Sequence, residues 1–109
     1  MQLEGGTFEK EVAIVRERVP HASSRLASQV TRLVQEIRTL ELYKAPGVSE
    51  TLDWVSALAA LERDALDPDA VESTLGVVLK SKEDIDALRG ARLTELLQHA
   101  IGHDTRHPS

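Results

Sequence analysis

Three histidines near the end of the chain have the spacing of a metal site on a helix. His99, His103 and His107 follow one another at intervals of four residues, so a continuous helix would place all three on one face. Imidazole nitrogens in this arrangement can bind zinc or nickel. Gly102 and Pro108 oppose a helix that runs through residue 107. We therefore expect a solvated tail here and no metal site.

Two pairs of neighbouring carboxylates have the residue types of general acid–base catalysts. They are Asp67 with Asp69 and Glu83 with Asp84, and each pair lies where a helix is expected to begin, a position that favours negative charge. The sequence contains no Gly-x-x-x-x-Gly-Lys-Ser/Thr phosphate loop, no Gly-x-Ser-x-Gly, no His-Glu-x-x-His and no Cys-x-x-Cys. We expect no catalytic residue and no enzymatic activity in this chain.

Residues 42–54 form the most informative segment because they contain the only Tyr and the only Trp of the chain. Pro46 lacks an amide hydrogen and ends a helix, and Gly47 accepts backbone conformations that other residues avoid. Ser49 can then cap the next helix. A plainer interpretation stays open, in which Trp54 is the largest core residue and the Pro-Gly pair is only a turn.

Composition and charge limit the classes of function. A chain of 109 residues suits one domain, and only 3% of the residues are aromatic, so aliphatic residues must form the core. The net charge of -5 argues against a nucleic-acid partner and disfavours a helix-turn-helix DNA binder. No apolar run reaches the ~18 residues of a membrane span. The N-terminus lacks a signal peptide and there is no cysteine, so we expect a cytoplasmic location and no membrane contact.

Apolar residues recur at helical spacing almost throughout, which predicts an all-α bundle of about five helices. We expect an N-terminal tail at 1–6, a helical domain at 7–101 and a C-terminal tail at 102–109. The start and stop signals predict a first helix from Thr7 to Pro20, a second from Ser23 or Ser24 to about residue 43, and a third from Ser49 to about Glu62. The Asp67-Pro68 pair predicts the start of a fourth helix. A capping box at Ser81-Lys82-Glu83-Asp84 predicts a fifth, which extends to about residue 101 and in which Gly90 marks a kink or a close contact.

The basic residues of the first two predicted helices alternate with glutamates. One interpretation is a solvated surface of mixed charge. The other is an interface between subunits of a ring, in which arginines meet the acidic groups of a neighbour. The residues concerned are Arg16, Arg18, Arg25, Arg32, Arg38 and Lys44.

Several blocks of the sequence, in matching order and spacing over residues 8 to about 85, resemble the C-terminal part of MoxR-type AAA+ ATPases. The similarity is greatest to the branch that occurs beside carbon monoxide dehydrogenase maturation genes and von Willebrand factor A partner proteins. The blocks are Phe8-Glu9-Lys10-Glu11, Ile14-Val15-Arg16, Arg18-Val19-Pro20, Leu42-Tyr43-Lys44, Pro46-Gly47-Val48-Ser49-Glu50-Thr51-Leu52-Asp53-Trp54, Leu66-Asp67-Pro68, Thr74-Leu75-Gly76-Val77-Val78-Leu79-Lys80 and Glu83-Asp84.

The resemblance implies that the chain is the helical lid that follows the nucleotide-binding core in that family. The core residues that bind and hydrolyse ATP have no counterpart here, so ATP and Mg²⁺ are expected only in a full-length parent, which would be the ATPase. The implied partners are the core of the same parent chain, neighbouring subunits of a ring, and a von Willebrand factor A domain protein. Such rings remodel partner proteins or help to mature them.

The same resemblance predicts which residues face the nucleotide. Related lids begin this helix with Gly-x-Ser-Pro-Arg, and that arginine reaches the γ-phosphate. Here Thr51 stands in its place, so either this contact is lost or Lys44 replaces it. The expected nucleotide-facing residues are Lys44, Gly47, Val48 and Thr51. The alternative function is a stand-alone helical interaction or adaptor module with no nucleotide role.

Overall fold

The computed structural model is all-helical over the residues that it describes, 7–89 and 91–105, with side chains described for residues 8–89 and 92–101. The all-α expectation is confirmed, with six helices in place of about five. They are α1 (Thr7–Arg18), α2 (Ser24–Arg38), α3 (Val48–Ala60), α4 (Pro68–Val78), α5 (Lys82–Leu88) and α6 (Ala91–Thr105).

Helix α2 lies at the centre of the bundle. It contacts α1, α3 and α6, while α4 packs on α3 and α5 contacts α6. Its apolar face is fully buried and supplies Leu26, Val30, Leu33 and Ile37, as the spacing predicted. Buried residues of all six helices form one cluster, aliphatic except for Trp54, so the described residues pack around a single core.

Trp54 is the largest side chain in this core and is fully buried. Its indole Nε1–H donates to the hydroxyl of Thr74 over 2.7 Å, which joins α3 to α4. The plainer interpretation of Trp54, as a core residue, is therefore confirmed.

Local signals placed several helix ends correctly. Ser23 caps α2 by accepting the N–H of Leu26, and Asp67 caps α4 by accepting the N–H of Ala70, with Pro68 at the first helical position. Helix α3 ends in a Schellman arrangement in which Glu62 adopts a φ of 62°.

Three predicted boundaries were wrong. Helix α2 ends at Arg38, well before residue 43, because the loop that follows is bonded to other elements. The predicted fifth helix is two helices, interrupted between Leu88 and Ala91. Helix α6 continues to Thr105, past the predicted end at residue 101. The predicted tail at 1–6 and residues 106–109 lie outside the described residues.

Among the described helices, none combines the length and the apolar character needed to cross a lipid bilayer.

Candidate functional site at the start of helix α3

The first turn of α3 is fixed by bonds between its own residues. Gly47 is the N-cap residue, where Ser49 had been predicted. The carboxylate of Glu50 accepts the N–H of Gly47 over 2.8 Å, and the N–H of Thr51 reaches the carbonyl of Gly47 over 3.2 Å. Because the N–H groups of a first helical turn have no carbonyl one turn before them, this end of α3 carries partial positive charge.

Three of the four predicted nucleotide-facing residues are exposed. Lys44, Gly47 and Val48 are exposed at or next to the start of α3. Thr51 is fully buried beneath them. The Thr51 hydroxyl therefore cannot contact a ligand that binds at the exposed residues.

Thr51 instead belongs to a buried ion-pair cluster, which we define as Glu11, Gln35, Arg38 and Thr51. The Thr51 hydroxyl donates to Glu11 Oε2 over 2.8 Å, and Arg38 donates two N–H bonds to the same carboxylate over 2.8 and 2.7 Å. Arg38 Nε also donates to the carbonyl of Pro46 over 2.7 Å. One cluster thus joins α1, α2, the start of α3 and the loop before it.

The charge state of Glu11 follows from two opposing effects. Burial raises the pKa of this carboxyl, since Glu11 is only 3% exposed. The hydrogen bonds from Arg38, Thr51 and Gln35, together with the charge of Arg38, outweigh burial and lower the pKa of Glu11 below its ordinary value. Glu11 is therefore a carboxylate at neutral pH, and the cluster is a true ion pair.

Two lysines act on the carboxylate at the start of α3. The Gly47 N–H and the N–H of Glu50 itself lower the pKa of Glu50, and the charges of Lys80 and Lys44 lower it further. Lys80 follows α4, and its Nζ donates to the carbonyl of Val77 over 2.9 Å. The start of α3 therefore combines one carboxylate with two nearby cations. The lysines of this arrangement can bind an anion, whereas Glu50 repels one.

Sequence reasoning missed Lys80 as a site residue. The residue closes one of the blocks that carry the family resemblance, at the point where the apolar stripe of Val78 and Leu79 ends. That position could have indicated a charged side chain at the edge of α4. The action of its charge on Glu50 depends on the packing of α4 against α3, which nothing in the local sequence indicates.

The predicted capping box at 81–84 is wrong. Ser81 is the N-cap of α5, but its hydroxyl bonds to Glu83 and caps no backbone N–H. The Asp84 carboxylate is buried and accepts the N–H of Tyr43 over 2.8 Å and that of Lys44 over 3.0 Å. Asp84 therefore fixes the loop that leads to the candidate site.

Neither the solvated-surface interpretation nor the ring-interface interpretation of the basic residues holds for Arg38 and Arg32. Arg38 belongs to the buried ion-pair cluster, and the guanidinium of Arg32 lies 3.8 Å from the centre of the Phe8 ring. Neither is a freely solvated cation. The ring-interface interpretation stays a prediction for the remaining basic residues.

No grouping of three or more His, Cys, Asp or Glu able to hold a metal occurs among the described residues. The Nδ1 of His99 lies 2.9 Å from Glu36 Oε2. The side chain of His103 and the whole of His107 lie outside the described part of the chain, so the structure does not test the predicted lack of a metal site there.

Searches against protein-family models, curated proteins and solved structures found no match to this chain.

Proposed function

We propose that this chain is the C-terminal helical lid of a MoxR-type AAA+ ATPase and closes over a nucleotide held by an α/β core. The proposal rests on the ordered sequence blocks that resemble this family and on an all-α fold that suits a lid. The observation that supports it most is the start of α3, where Lys44, Gly47 and Val48 are exposed and the charges of Lys44 and Lys80 both act on Glu50.

Within this proposal, the lysines take the role of the missing arginine. Thr51 is buried and Glu50 is negatively charged, so neither side chain of this first turn can bind a phosphate. Lys44 is exposed and carries the charge needed to approach a phosphate from the lid, as an ammonium group binds phosphate through point-charge attraction. Lys80 would strengthen the positive potential on the same side.

The buried ion-pair cluster suits the relay that a lid performs. In the proposed parent the core precedes the lid, so α1 is the helix next to it. Glu11 on α1 is bonded to Thr51 at the start of α3 and, through Arg38, to the loop at Pro46. A change in nucleotide contact at that loop would therefore move α1 as well, and differences in contact between nucleotide states would shift the lid relative to the core.

The resemblance supplies the wider assignments of the proposal. The chain's partners would be the core of the same parent and neighbouring subunits of a ring, with a von Willebrand factor A domain protein as a further one. The ring would use ATP and Mg²⁺ to remodel or mature partner proteins in the cytoplasm. The chain alone would not hydrolyse ATP, because its sequence has no phosphate loop.

The reading frame upstream of the Met1 codon is the first test of this proposal. A phosphate-loop motif about 200 residues earlier, the length of one ordinary domain, supports it. An in-frame stop codon directly before Met1 contradicts a lid in the same chain.

ATP hydrolysis by the full-length parent then tests the site. We expect Lys44→Ala to raise KM for ATP roughly tenfold, as for the loss of one charge-assisted hydrogen bond. Lys82→Ala is the matched control, since Lys82 is also exposed and only pairs with Asp86 at 3.1 Å. Equal KM values for the two variants would remove Lys44 from the nucleotide site.

A stand-alone interaction module is the second candidate function, and one observation favours it. Tyr43 is 81% exposed, which is unusual for the only tyrosine of a small bundle whose other large apolar residues are mostly in the core. An in-frame stop before Met1, together with specific binding through this surface, would favour the module over the lid.

A further inference from the structure

The loop between α2 and α3 is rigidly held yet exposes an aromatic side chain. Asp84 binds the amides of Tyr43 and Lys44, and Arg38 binds the carbonyl of Pro46. The Tyr43 side chain is nevertheless 81% exposed, and it is not one of the residues that pack in or against the core. Ordering a loop costs conformational entropy, so a loop that is already fixed can present a side chain to a partner at little further cost.

A concave surface of about 310 Å³ lies beside this tyrosine, formed by Glu41, Leu42, Tyr43, Glu83, Asp84 and Ala87. Leu42 and Ala87 supply apolar surface, Tyr43 supplies an aromatic ring, and Glu41 and Glu83 supply exposed carboxylates. We name it the Tyr43 pocket.

The charges of the Tyr43 pocket are not balanced within the chain. Among the described residues neither Glu41 nor Glu83 makes an ion pair, although Glu83 accepts a hydrogen bond from Ser81. None of the residues that line the pocket is basic, and the exposed Lys82 next to it pairs with Asp86. The pocket therefore lacks a positive charge.

We propose that the Tyr43 pocket binds an arginine side chain of a partner protein. The guanidinium would stack on the Tyr43 ring and donate to Glu41 or Glu83, while its aliphatic stem lies on Leu42 and Ala87. Arginine fits better than lysine because a planar guanidinium both stacks on an aromatic ring and forms paired hydrogen bonds with a carboxylate. The net charge of -5 would attract a basic partner from a distance. This proposal does not depend on the lid proposal.

An NMR titration of the ¹⁵N-labelled 109-residue chain with the peptide acetyl-Ala-Ala-Arg-Ala-Ala-amide tests the pocket. We expect saturable shifts, in the millimolar range, of the amide signals of Tyr43 and Ala87. The same peptide with citrulline in place of arginine has nearly the same shape without the charge and should give no saturable shift. The lysine peptide should bind more weakly than the arginine peptide.

Four variants separate specific binding from general attraction to an acidic protein. Tyr43→Phe keeps the ring and should bind as the unchanged chain does, whereas Tyr43→Leu should weaken binding about threefold. Glu83→Gln should weaken it by a similar factor, about threefold, as for one exposed ion pair. Glu95→Gln, an exposed residue on α6, is the control and should have no effect.

Tyr43 and the exposed glutamates lie outside the core, so these variants should all fold. Equal shifts with arginine and citrulline, equal weakening by Glu83→Gln and Glu95→Gln, or the absence of saturable shifts at Tyr43 would each overturn the proposal.

Discussion

The buried ion pair between Glu11 and Arg38 is the residue-scale feature on which the site depends. Glu11 is almost fully buried, and every partner that the structure gives its carboxylate comes from α2 or α3. A charge removed from water in this way is stabilising only while its partners are in place. The pair therefore fixes how α1, α2 and α3 meet.

Replacing Glu11 by Gln should destabilise the fold by about 2 kcal/mol, less than a fully buried pair because Arg38 is 25% exposed and can be hydrated again. Urea unfolding followed by Trp54 fluorescence measures this loss of stability. The free energy of unfolding should depend on urea concentration with the same slope in both chains, so that only the midpoint shifts. Glu17→Gln, an exposed glutamate on the same helix, is the control. A midpoint equal to that of the control would show that the pair contributes no net stability.

The same pair gives stability a defined pH dependence. Since the pKa of Glu11 is lower in the folded chain than its ordinary value of about 4.3, the unfolded chain binds more protons in that range. The stabilisation is complete above pH ~4.3 and is lost as the pH falls through the lower, folded pKa. Glu11→Gln should flatten this acid loss, while the part that comes from the lowered pKa of Glu50 stays. An acid profile of stability identical in the variant would contradict this assignment.

Thr31 carries a buried hydroxyl that finds no hydrogen-bond partner among the residues that the structure describes. An unpaired buried polar group costs about 1–3 kcal/mol, so Thr31→Val, which keeps the shape and removes the hydroxyl, should raise the free energy of unfolding by about 1 kcal/mol. Thr74→Val is the contrasting variant, because it removes the partner of Trp54 and should destabilise. Thermal unfolding of the two variants should give shifts of opposite sign, and a destabilised Thr31→Val chain would refute the argument.

At the scale of elements, the loop from Thr39 to Gly47 is held by residues distant in sequence. Asp84→Ala removes the acceptor of two backbone N–H groups and should speed hydrogen exchange of the Tyr43 and Lys44 amides by about tenfold or more, since a hydrogen bond to a charged group is worth about 1.5–3 kcal/mol. Asp86→Ala, on the same helix, removes only an exposed pair and should leave both amides unchanged. Unchanged exchange in Asp84→Ala would mean that the loop is held by other contacts.

The elements also show what the sequence could and could not predict. Helix starts at Ser23 and Asp67 were predictable because capping is a bond between residues three apart. The end of α2 was not, because Leu40 continues the helical spacing while the bonds that hold the loop come from Asp84, some forty residues away. The buried state of Thr51 likewise depends on Glu11, forty positions earlier. Capping residues and apolar spacing therefore predicted the helices, whereas contacts between residues distant in sequence determine which residues of the candidate site are exposed.

At the scale of the whole molecule, the six described helices share one core, and the two proposed sites lie on the same loop between α2 and α3. The start of α3 presents Lys44, Gly47 and Val48, and the Tyr43 pocket lies beside the same loop. Thr51→Arg, the change that would restore the arginine of related lids, would place a charge inside the core and break the ion-pair cluster. The lid proposal is therefore better tested at the exposed lysine than at the buried threonine.

The mass of the native protein tests the lid proposal most directly. An antibody raised against this chain would be used to capture the protein from its source cells, and the captured species would be measured by intact-mass spectrometry. The proposal predicts a species heavier than 12.0 kDa by a core of about 200 residues, whose peptides include a phosphate-loop motif. A single species of 12.0 kDa would contradict it.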